Sequence, residues 1–286
     1  MPNLRVPIEV LNPFFDSALF YPDFSAEDKV RLYSVFGGIP YYNKFVDPSM
    51  SVRENIMNLL VESGSRLENE VPLYLSSEIS KITNANKVFW ALAQGYSRYK
   101  DILDQLHVTS GPAMVSVLNK LMNMELVQKQ TPINDPKNKR KSSYHITDGL
   151  SLFYYRYLFR YSSQRMLMSP NSFFERYVHD DFEEYFVPHR FEEVCRQYLV
   201  RQNRAGKIPE IFSEIGKYWY VDSVTHTNGE FDIVTRDPRV PAHFAAVFAR
   251  CWLAYAARRA RRACCGVGVR WLASLLCLRR RARRLP

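Results

Sequence analysis

Residues 112–146, PAMVSVLNKLMNMELVQKQTPINDPKNKRKSSYHI, place a helical pattern directly before two short alternating segments. Two shorter helical patterns, KVFWALAQG and YKDILDQLHV, come before it, and the turn-forming stretch NDPKNKRK separates the alternating segments. The break between the second and third helices has the length found in a helix-turn-helix. Three helices followed by a two-stranded wing predict a winged helix at residues 85–148.

The third helix of this pattern has a polar face that suits a DNA groove. Val115, Leu118 and Met122 are predicted on its buried side. Amide side chains can contact adenine edges, and ammonium groups can contact guanine or phosphate, so the opposite face and the basic wing form a candidate DNA interface. A solvated helix face or a protein-binding surface has the same pattern, and that alternative stays open. The candidate residues are Ser116, Asn119, Lys120, Asn123, Lys137, Lys139, Arg140 and Lys141.

The residues before this segment are predicted to be helical, with no strand. Ser25 and Ser51 are each followed three residues later by an acidic residue, which is the spacing of a capped helix start. Gly37-Gly38 and then Pro40 end the first of these helices. The sequence contains no G-x-x-x-x-G-K-[ST] phosphate loop. It therefore predicts no ATPase activity and no cofactor for this chain alone.

Residues 148–190 are dense in aromatic side chains at helical spacing. With Arg156 and Arg160 among them, they fit either a stacking surface for nucleic acid or the packed core between two helices, and core packing is the prediction. Cys195 follows on an apolar helix face. It is predicted as a buried thiol in a reducing compartment.

A strand with one carboxylate comes next. GEFDIVT places Asp232 between apolar neighbours, and FEEVCRQYLVRQ places Glu192 early on a helix. Metal-dependent hydrolysis needs a further carboxylate and a lysine on the following strand, and neither residue type occurs after Asp237. Glu230 lies on the same strand face as Asp232, so a weak two-carboxylate site competes with a solvated turn residue. Asp232 is predicted to be a vestigial catalytic residue, with no metal site, and the resemblance given below implies the same for Glu192.

The composition changes at residue 238. Residues 1–237 hold all 29 acidic and 27 of the 39 basic residues, a net charge of 27 − 29 = −2. Residues 238–286 carry the other twelve basic residues, all arginine, so the overall +10 is a property of this tail. A nucleic-acid arm and an out-of-frame translation of GC-rich DNA both stay open, whereas the uncharged runs are too short to span a membrane. The opening stretch MPNLRVPIEVLNPFF is broken by prolines, which predicts a cytoplasmic location.

Several of these segments together resemble the C-terminal portion of archaeal-type AAA+ ATPases that end in a DUF234 domain. The resemblance covers about residues 10–236 and is carried by GGIPYYNKFVD, the winged-helix pattern, DGLSLFYYRYLF, FEEVCRQYL and KYWYVDSVTHTNGEFDIV. It implies a helical ATPase lid, a winged helix and a domain similar to PD-(D/E)xK nucleases, with ATP and magnesium expected only for full-length relatives. The resemblance also implies roles for single residues: Gly37, Gly38 and Pro40 near the nucleotide of relatives, Asp232 at the first acidic nuclease position, and Glu192 assisting it.

The predicted fold is mainly α with a small α+β part. Its segments are a lid remnant at 1–84, the winged helix at 85–148, an incomplete DUF234 nuclease-like domain at 149–237 and an Arg/Ala-rich tail at 238–286 that is disordered or out of frame. The missing phosphate loop and the missing closing strand predict truncation at the front and a frameshift after about residue 236. The predicted function is a DNA-associated winged-helix fragment with no ATPase or nuclease activity of its own. The alternative is a protein-interaction module or an inert pseudogene product, and the expected partners are duplex DNA or another protein, with no membrane.

Overall fold

The computed structural model describes residues 13–79, 82, 84–108, 112–208, 211–221, 228–239 and 244–247. These residues divide into two compact units. The helical unit takes its described residues from Met1–Lys129 and Ser143–Arg190. The sheet unit takes its described residues from Gln130–Ser142 and Phe191–Pro286. The described chain is mainly helical with small sheets, as predicted.

The helical unit begins with short helices joined by tight turns. The predicted N-caps are confirmed, because the Ser25 hydroxyl accepts from the Asp28 N–H at 3.1 Å and Ser51 forms a full capping box with Glu54. The elements in order are α1 (Pro13–Ser17), the 3-10 turn Ala18–Phe20, α2 (Ala26–Phe36), α3 (Pro40–Asn43), α4 (Val52–Ile56), the π-helical turn Met57–Val61 and α5 (Glu70–Ile79).

The turn between α2 and α3 is held by one buried amide. Gly37 caps α2 with a φ of +59°, a conformation that glycine adopts without a Cβ penalty. The Asn43 amide donates to the carbonyls of Gly37 at 3.0 Å and Ile39 at 2.8 Å, while its oxygen accepts from the Tyr21 hydroxyl at 3.0 Å. The predicted helix stop at this position is confirmed, and the side chain that fixes it lies six residues further on.

Three helices and two short strands follow in the predicted order. Both strands are shorter than the alternating segments suggested, and an isolated bridge joins Arg98 to Ser143. The elements are α6 (Ala85–Ala93), α7 (Tyr99–Leu106), α8 (Pro112–Asn123), β1 (Val127–Gln130) and β2 (Ser143–Ile146), with β1 paired to β2.

The aromatic segment forms helices that pack into the core of the helical unit. Its elements are α9 (Gly149–Phe153), the π-helical turn Tyr154–Phe159, α10 (Ser162–Leu167), α11 (Pro170–Tyr177), α12 (His179–Asp181), the π-helical turn Phe182–Phe186 and α13 (Val187–Arg204), which contributes residues to both units.

Core packing of these aromatic side chains is confirmed. Phe153, Tyr157, Phe182 and Phe186 are all buried, and the Phe153 and Phe186 rings meet edge to face with centroids 5.8 Å apart. Arg156 does not lie on a stacking surface. Its guanidinium forms two 2.6 Å hydrogen bonds to the Asp181 carboxylate in the same unit.

The sheet unit contains three antiparallel strands in the order β3-β4-β5. The β3–β4 register is interrupted between Gly216 and Tyr218, so Lys217 sits at an irregularity of the ladder. Cys195 is buried in this unit, as predicted. The strands are β3 (Glu214–Val221), β4 (Asn228–Arg236) and β5 (Phe244–Val247).

Strand β5 falls inside the segment predicted as a basic tail. Ile233 pairs with Val247, and Arg236 pairs with Phe244. The four residues Phe244–Val247 thus pair with β4, whereas residues 238–286 were predicted to form a tail outside the sheet. Residues 240–243 and 248–286 lie outside the described residues. Asn228 and Gly229 are the first residues of β4.

The two compact units divide the chain differently from the four predicted segments. The aromatic helices of residues 149–190, predicted to start the nuclease-like domain, belong to the helical unit. The connection between β1 and β2 belongs to the sheet unit.

No helix within the described part of the chain is both long enough and apolar enough to cross a membrane.

Candidate functional site

The sheet unit brings three carboxylates together around one lysine. The Lys217 ammonium lies 2.8 Å from Glu230, 3.5 Å from Glu192 and 3.9 Å from Asp232, measured to the nearest carboxylate oxygen. Lys217 comes from β3, Glu230 and Asp232 from β4, and Glu192 from α13. We call these four residues the lysine–carboxylate cluster. The two residues predicted as vestigial catalytic groups therefore do lie at one place.

Local backbone geometry explains this arrangement. Glu230 and Asp232 are two positions apart on β4, so their side chains leave the same face of the strand. Trp219 pairs with Glu230, and Lys217 lies two residues before Trp219, which points its side chain to the same face. Glu192 lies in the first half of α13 and supplies the third carboxylate from outside the sheet.

The electrostatics of the cluster favour a charged lysine. The Lys217 side chain is 12% exposed, and this burial lowers its pKa. The attraction of Glu192 and Glu230, the hydrogen bond to Glu230 and the attraction of Asp232 together outweigh burial, so the pKa of Lys217 is raised above its ordinary value. The ammonium is held as a cation among its acidic neighbours.

The sequence did not indicate Lys217 as the partner lysine, because that lysine is expected on the strand after Asp232, whereas Lys217 lies on the strand before it. The detectable signal is a lysine at the centre of the alternating strand EIGKYWYV, where a half-buried strand would ordinarily place an apolar residue. For Glu230, a solvated turn position was one of the two predicted alternatives. Its carboxylate is 39% exposed and accepts a hydrogen bond from Lys217.

The magnesium that the resemblance implies for relatives does not fit the cluster as it stands. A magnesium ion needs oxygen ligands at about 2.1 Å, with space for a near-octahedral shell. Lys217 places a positive charge among the three carboxylates, at hydrogen-bond distance from one of them. Within the described residues, no group of three His, Cys, Asp or Glu side chains has a geometry that could hold a metal ion.

The candidate recognition helix α8 exposes its predicted polar face. Its four polar candidates, Ser116, Asn119, Lys120 and Asn123, are exposed on one side of the helix.

The buried face of α8 differs in part from the predicted one. The buried residues are Met114, Val117, Leu118 and Leu121, whereas Val115 is 45% exposed and Met122 is half-buried. Of the predicted trio, only Leu118 is fully buried. Apolar residues occupy two adjacent stripes of this helix, at 114/117/118/121 and 115/118/122, and tertiary packing selects the first.

We call residues Gln130–Ser142 the wing segment; it consists of the last residue of β1 and the connection from β1 to β2. Lys137 and Arg140 on it are exposed, and the side chain of Lys139 lies outside the described residues. Lys141 is occupied inside the sheet unit. Its ammonium is 2.9 Å from an Asp135 oxygen and 3.7 Å from the centre of the Trp219 ring.

The wing segment is tied to the edge of β3. The Ile133 N–H donates to the Lys217 carbonyl at 2.8 Å. The Asn134 side chain donates to the Trp219 carbonyl at 2.7 Å and accepts from the Trp219 N–H at 3.2 Å. These bonds use backbone groups that an edge strand leaves unpaired. The backbone on the C-terminal side of Lys217 is therefore anchored.

The lid residues of the resemblance have structural roles in the helical unit. Gly37 and Pro40 end α2 and begin α3. A Cβ on Gly38 would lie 2.4 Å from the Pro13 Cβ, so a larger residue has no room there. That these three residues lie near a nucleotide stays a prediction.

Comparison with known proteins identifies the part of the chain that contains the cluster. Residues 154–251 match the model of the family DUF234, described as archaea bacterial proteins of unknown function. This range includes all four cluster residues and strand β5, and it runs past the composition change at residue 238.

An uncharacterized protein of Methanocaldococcus jannaschii is 27% identical to this chain over 217 residues. The aligned part is 75% of this chain and 46% of the relative, so the chain spans less than half the length of that relative. No solved structure matches the chain.

Proposed function

We propose that this chain is a DNA-associated protein of the DUF234 type, in which residues 85–148 act as a winged helix and α8 enters the major groove. The single observation that supports the proposal most is the exposed row Ser116, Asn119, Lys120 and Asn123, backed by a buried apolar stripe on the same helix. It follows a helix-turn-helix order of elements, in which the second helix of the pair contacts base edges.

The chemistry of this face suits duplex DNA. Asn119 and Asn123 can each pair with an adenine edge through both amide atoms, and Lys120 can contact guanine or phosphate. Val115, exposed beside them, offers an apolar contact of the kind that thymine methyl groups accept. The amides and the small apolar side chain of this surface suit base contacts, and its one cation suits a base or phosphate contact.

The proposal includes no catalytic step on DNA or ATP. The sequence provides no phosphate loop, and Lys217 forms ion pairs with carboxylates that would otherwise be available to a magnesium ion. Incubating the full chain with plasmid DNA and magnesium or manganese tests this part. Cleavage that disappears in Asp232→Ala would contradict it.

DNA binding is tested by fluorescence anisotropy with labelled duplex over a series of salt concentrations. Each phosphate contact contributes a slope of about 0.9 to the dependence of log K on log salt. We expect Asn119→Ala and Asn123→Ala to weaken binding in a sequence-dependent way, and Lys120→Ala to lower the slope by about one. Lys87→Ala removes an exposed lysine from α6 and is the matched control, with no expected change.

Comparing slopes within the full chain cancels the contribution of the arginine-rich segment, which is present in every variant. If the α8 variants bind as the unaltered chain does, the face does not contact DNA. A protein partner is then the second candidate, supported by the exposed Val115 and by the engagement of Lys141 within the sheet unit.

A further inference from the structure

The lysine–carboxylate cluster raises a question that the DNA-binding proposal does not answer, namely which cation balances its carboxylates. Three carboxylate groups converge from two elements, and each has an oxygen within 4 Å of the same nitrogen. Converging carboxylates in proteins are paired with a metal ion or with a cationic side chain, because unpaired charges in a poorly hydrated site are costly.

Among the described residues, Lys217 supplies a cation to all three carboxylates. Its ammonium is nearest to Glu230 and is also within reach of Glu192 and Asp232, so it lies between groups contributed by α13 and β4. A divalent ion bound by the same oxygens would have to occupy the space of the ammonium or lie a few ångströms from it. Either position brings two positive charges together in a site where water screens them poorly.

The backbone of Lys217 is fixed in a way that keeps the ammonium in place. Its carbonyl accepts from the Ile133 N–H, and both backbone polar groups of Trp219, two residues further on, are bound by the Asn134 side chain. On its other side, a Cβ on Gly216 would lie 2.5 Å from the Ile133 methyl Cγ2, so the wing segment packs directly on this part of β3. The side chain is largely enclosed and has little freedom to leave the carboxylates.

We propose that Lys217 is the resident cation of the cluster and that it closes the three carboxylates to divalent metal ions. The site that resembles a metal centre already holds a cation in this chain, which reduces the charge of its three carboxylates to −3 + 1 = −2. Lys217 is the residue that decides between a site with a bound metal ion and a site without one. The inference rests only on contacts within the sheet unit and is independent of whether α8 binds DNA.

The test is manganese binding by the full chain, followed by electron paramagnetic resonance of free Mn²⁺ and by calorimetry. We expect no saturable Mn²⁺ binding at this site below about 1 mM for the unaltered chain, the weak end of biological oxygen-ligand sites. Lys217→Met keeps a long unbranched side chain, one atom shorter than lysine, and removes its charge. It should bind one ion at least tenfold more tightly, and Lys217→Met combined with Asp232→Asn should lose that ion.

Two controls make the test specific. Lys207→Met removes an exposed lysine from the same unit and should behave as the unaltered chain. Lys217→Arg keeps a cation at the centre of the cluster and should likewise show no saturable Mn²⁺ binding. If Lys217→Met fails to fold in metal-free buffer, refolding it with Mn²⁺ should restore its circular dichroism spectrum.

Three outcomes would overturn the proposal. One is Mn²⁺ binding by the unaltered chain as tight as that of Lys217→Met. Another is a Lys217→Met protein that binds no ion when folded, or that Mn²⁺ does not rescue when unfolded. The third is metal-dependent DNA cleavage by the unaltered chain that Lys217→Met abolishes, since Lys217 would then be a catalytic residue beside a bound metal.

Discussion

At the scale of single residues, Asn43 shows how one buried amide can determine a turn. The side chain is 1% exposed, yet it contacts Tyr21 on one side and the carbonyls of Gly37 and Ile39 on the other. Without the amide, the Gly37 carbonyl and the Tyr21 hydroxyl each lose a hydrogen bond in a buried site, whereas the Ile39 carbonyl still accepts from the Tyr42 and Asn43 N–H groups. The stability of the α2–α3 turn therefore depends on a residue that lies outside it.

We expect Asn43→Ala to destabilise the protein by about 1–3 kcal/mol, because it removes three hydrogen bonds of a buried side chain. Urea unfolding followed by circular dichroism measures the change. Asn58→Ala, at an exposed position of the π-helical turn, is the control and should stay within about 0.5 kcal/mol of the unaltered chain. Equal effects of the two substitutions would show that the Asn43 network contributes nothing special.

Asp181 gives a prediction for acidic pH. Burial raises its pKa, but the hydrogen bonds from Arg156 and Tyr157 and the attraction of Arg156 and Arg160 outweigh burial, so its pKa lies below the ordinary value of 3.8. A carboxyl group with a lowered pKa in the folded state stabilises the fold above its unfolded pKa, and this contribution is lost as the pH falls through the folded pKa.

Asp181→Asn should therefore cost stability at neutral pH and cost progressively less below about pH 4, where the unaltered Asp181 also loses its charge. The side chain is 40% exposed, so solvent screening limits the neutral-pH cost to about 1–3 kcal/mol. Unfolding free energies of both proteins between pH 7 and pH 3 check this. A difference that stays constant over the whole range would show that the Arg156–Asp181 charge pair is not its source.

At the scale of helices and strands, the sequence predicts the boundaries of elements well and the contacts between distant side chains poorly. The capped starts of α2 and α4, the stop at Gly37 and the order of α6–α8 and β1–β2 depend on residues within a few positions of one another. Such signals are contained in short stretches of chain. They were therefore predictable.

The side of α8 that is buried and the position of Lys217 depend instead on contacts between distant segments. Helix α8 has two apolar stripes, and only the packing around Met114 and Leu121 distinguishes them. Lys217 meets Glu192 across 25 residues of sequence and Glu230 across 13, and no local pattern specifies either distance. The same holds for the π-helical turns at Met57–Val61, Tyr154–Phe159 and Phe182–Phe186, where one extra residue per turn has no simple sequence signature.

The docking of the wing segment on β3 leads to a prediction at this scale. Asn134→Ala removes both hydrogen bonds to Trp219 and should let the segment detach more often from the strand edge. Limited trypsin digestion should then cut after Lys137 or Arg140 at least threefold faster than in the unaltered chain. Asn123→Ala, an exposed amide of α8, should leave the rate unchanged, and an unaltered rate in Asn134→Ala would show that these bonds do not hold the segment.

At the scale of the whole molecule, charge is separated along the chain. Residues 1–247 contain 28 basic and 29 acidic residues, a net charge of 28 − 29 = −1, whereas residues 248–286 contain eleven arginines and no acidic residue. Any polyanion is attracted by such a segment through counterion release, without regard to sequence. Two kinds of DNA binding are thus expected in one protein: a sequence-independent component from the arginines and a smaller, base-dependent component from α8.

Removing residues 248–286 should separate these components. We expect the shortened chain to lose most of its affinity for random-sequence duplex and to show a salt slope lower by several units, because up to eleven phosphate contacts are removed. The effect of Lys120→Ala should persist in the shortened chain, as a further decrease of about one in the slope. Anisotropy titrations of the four proteins, full and shortened, each with and without Lys120→Ala, measure all terms. If shortening removes binding completely and Lys120→Ala then changes nothing, all DNA affinity belongs to the arginines, and the winged-helix proposal fails even if the lysine–carboxylate cluster behaves as proposed.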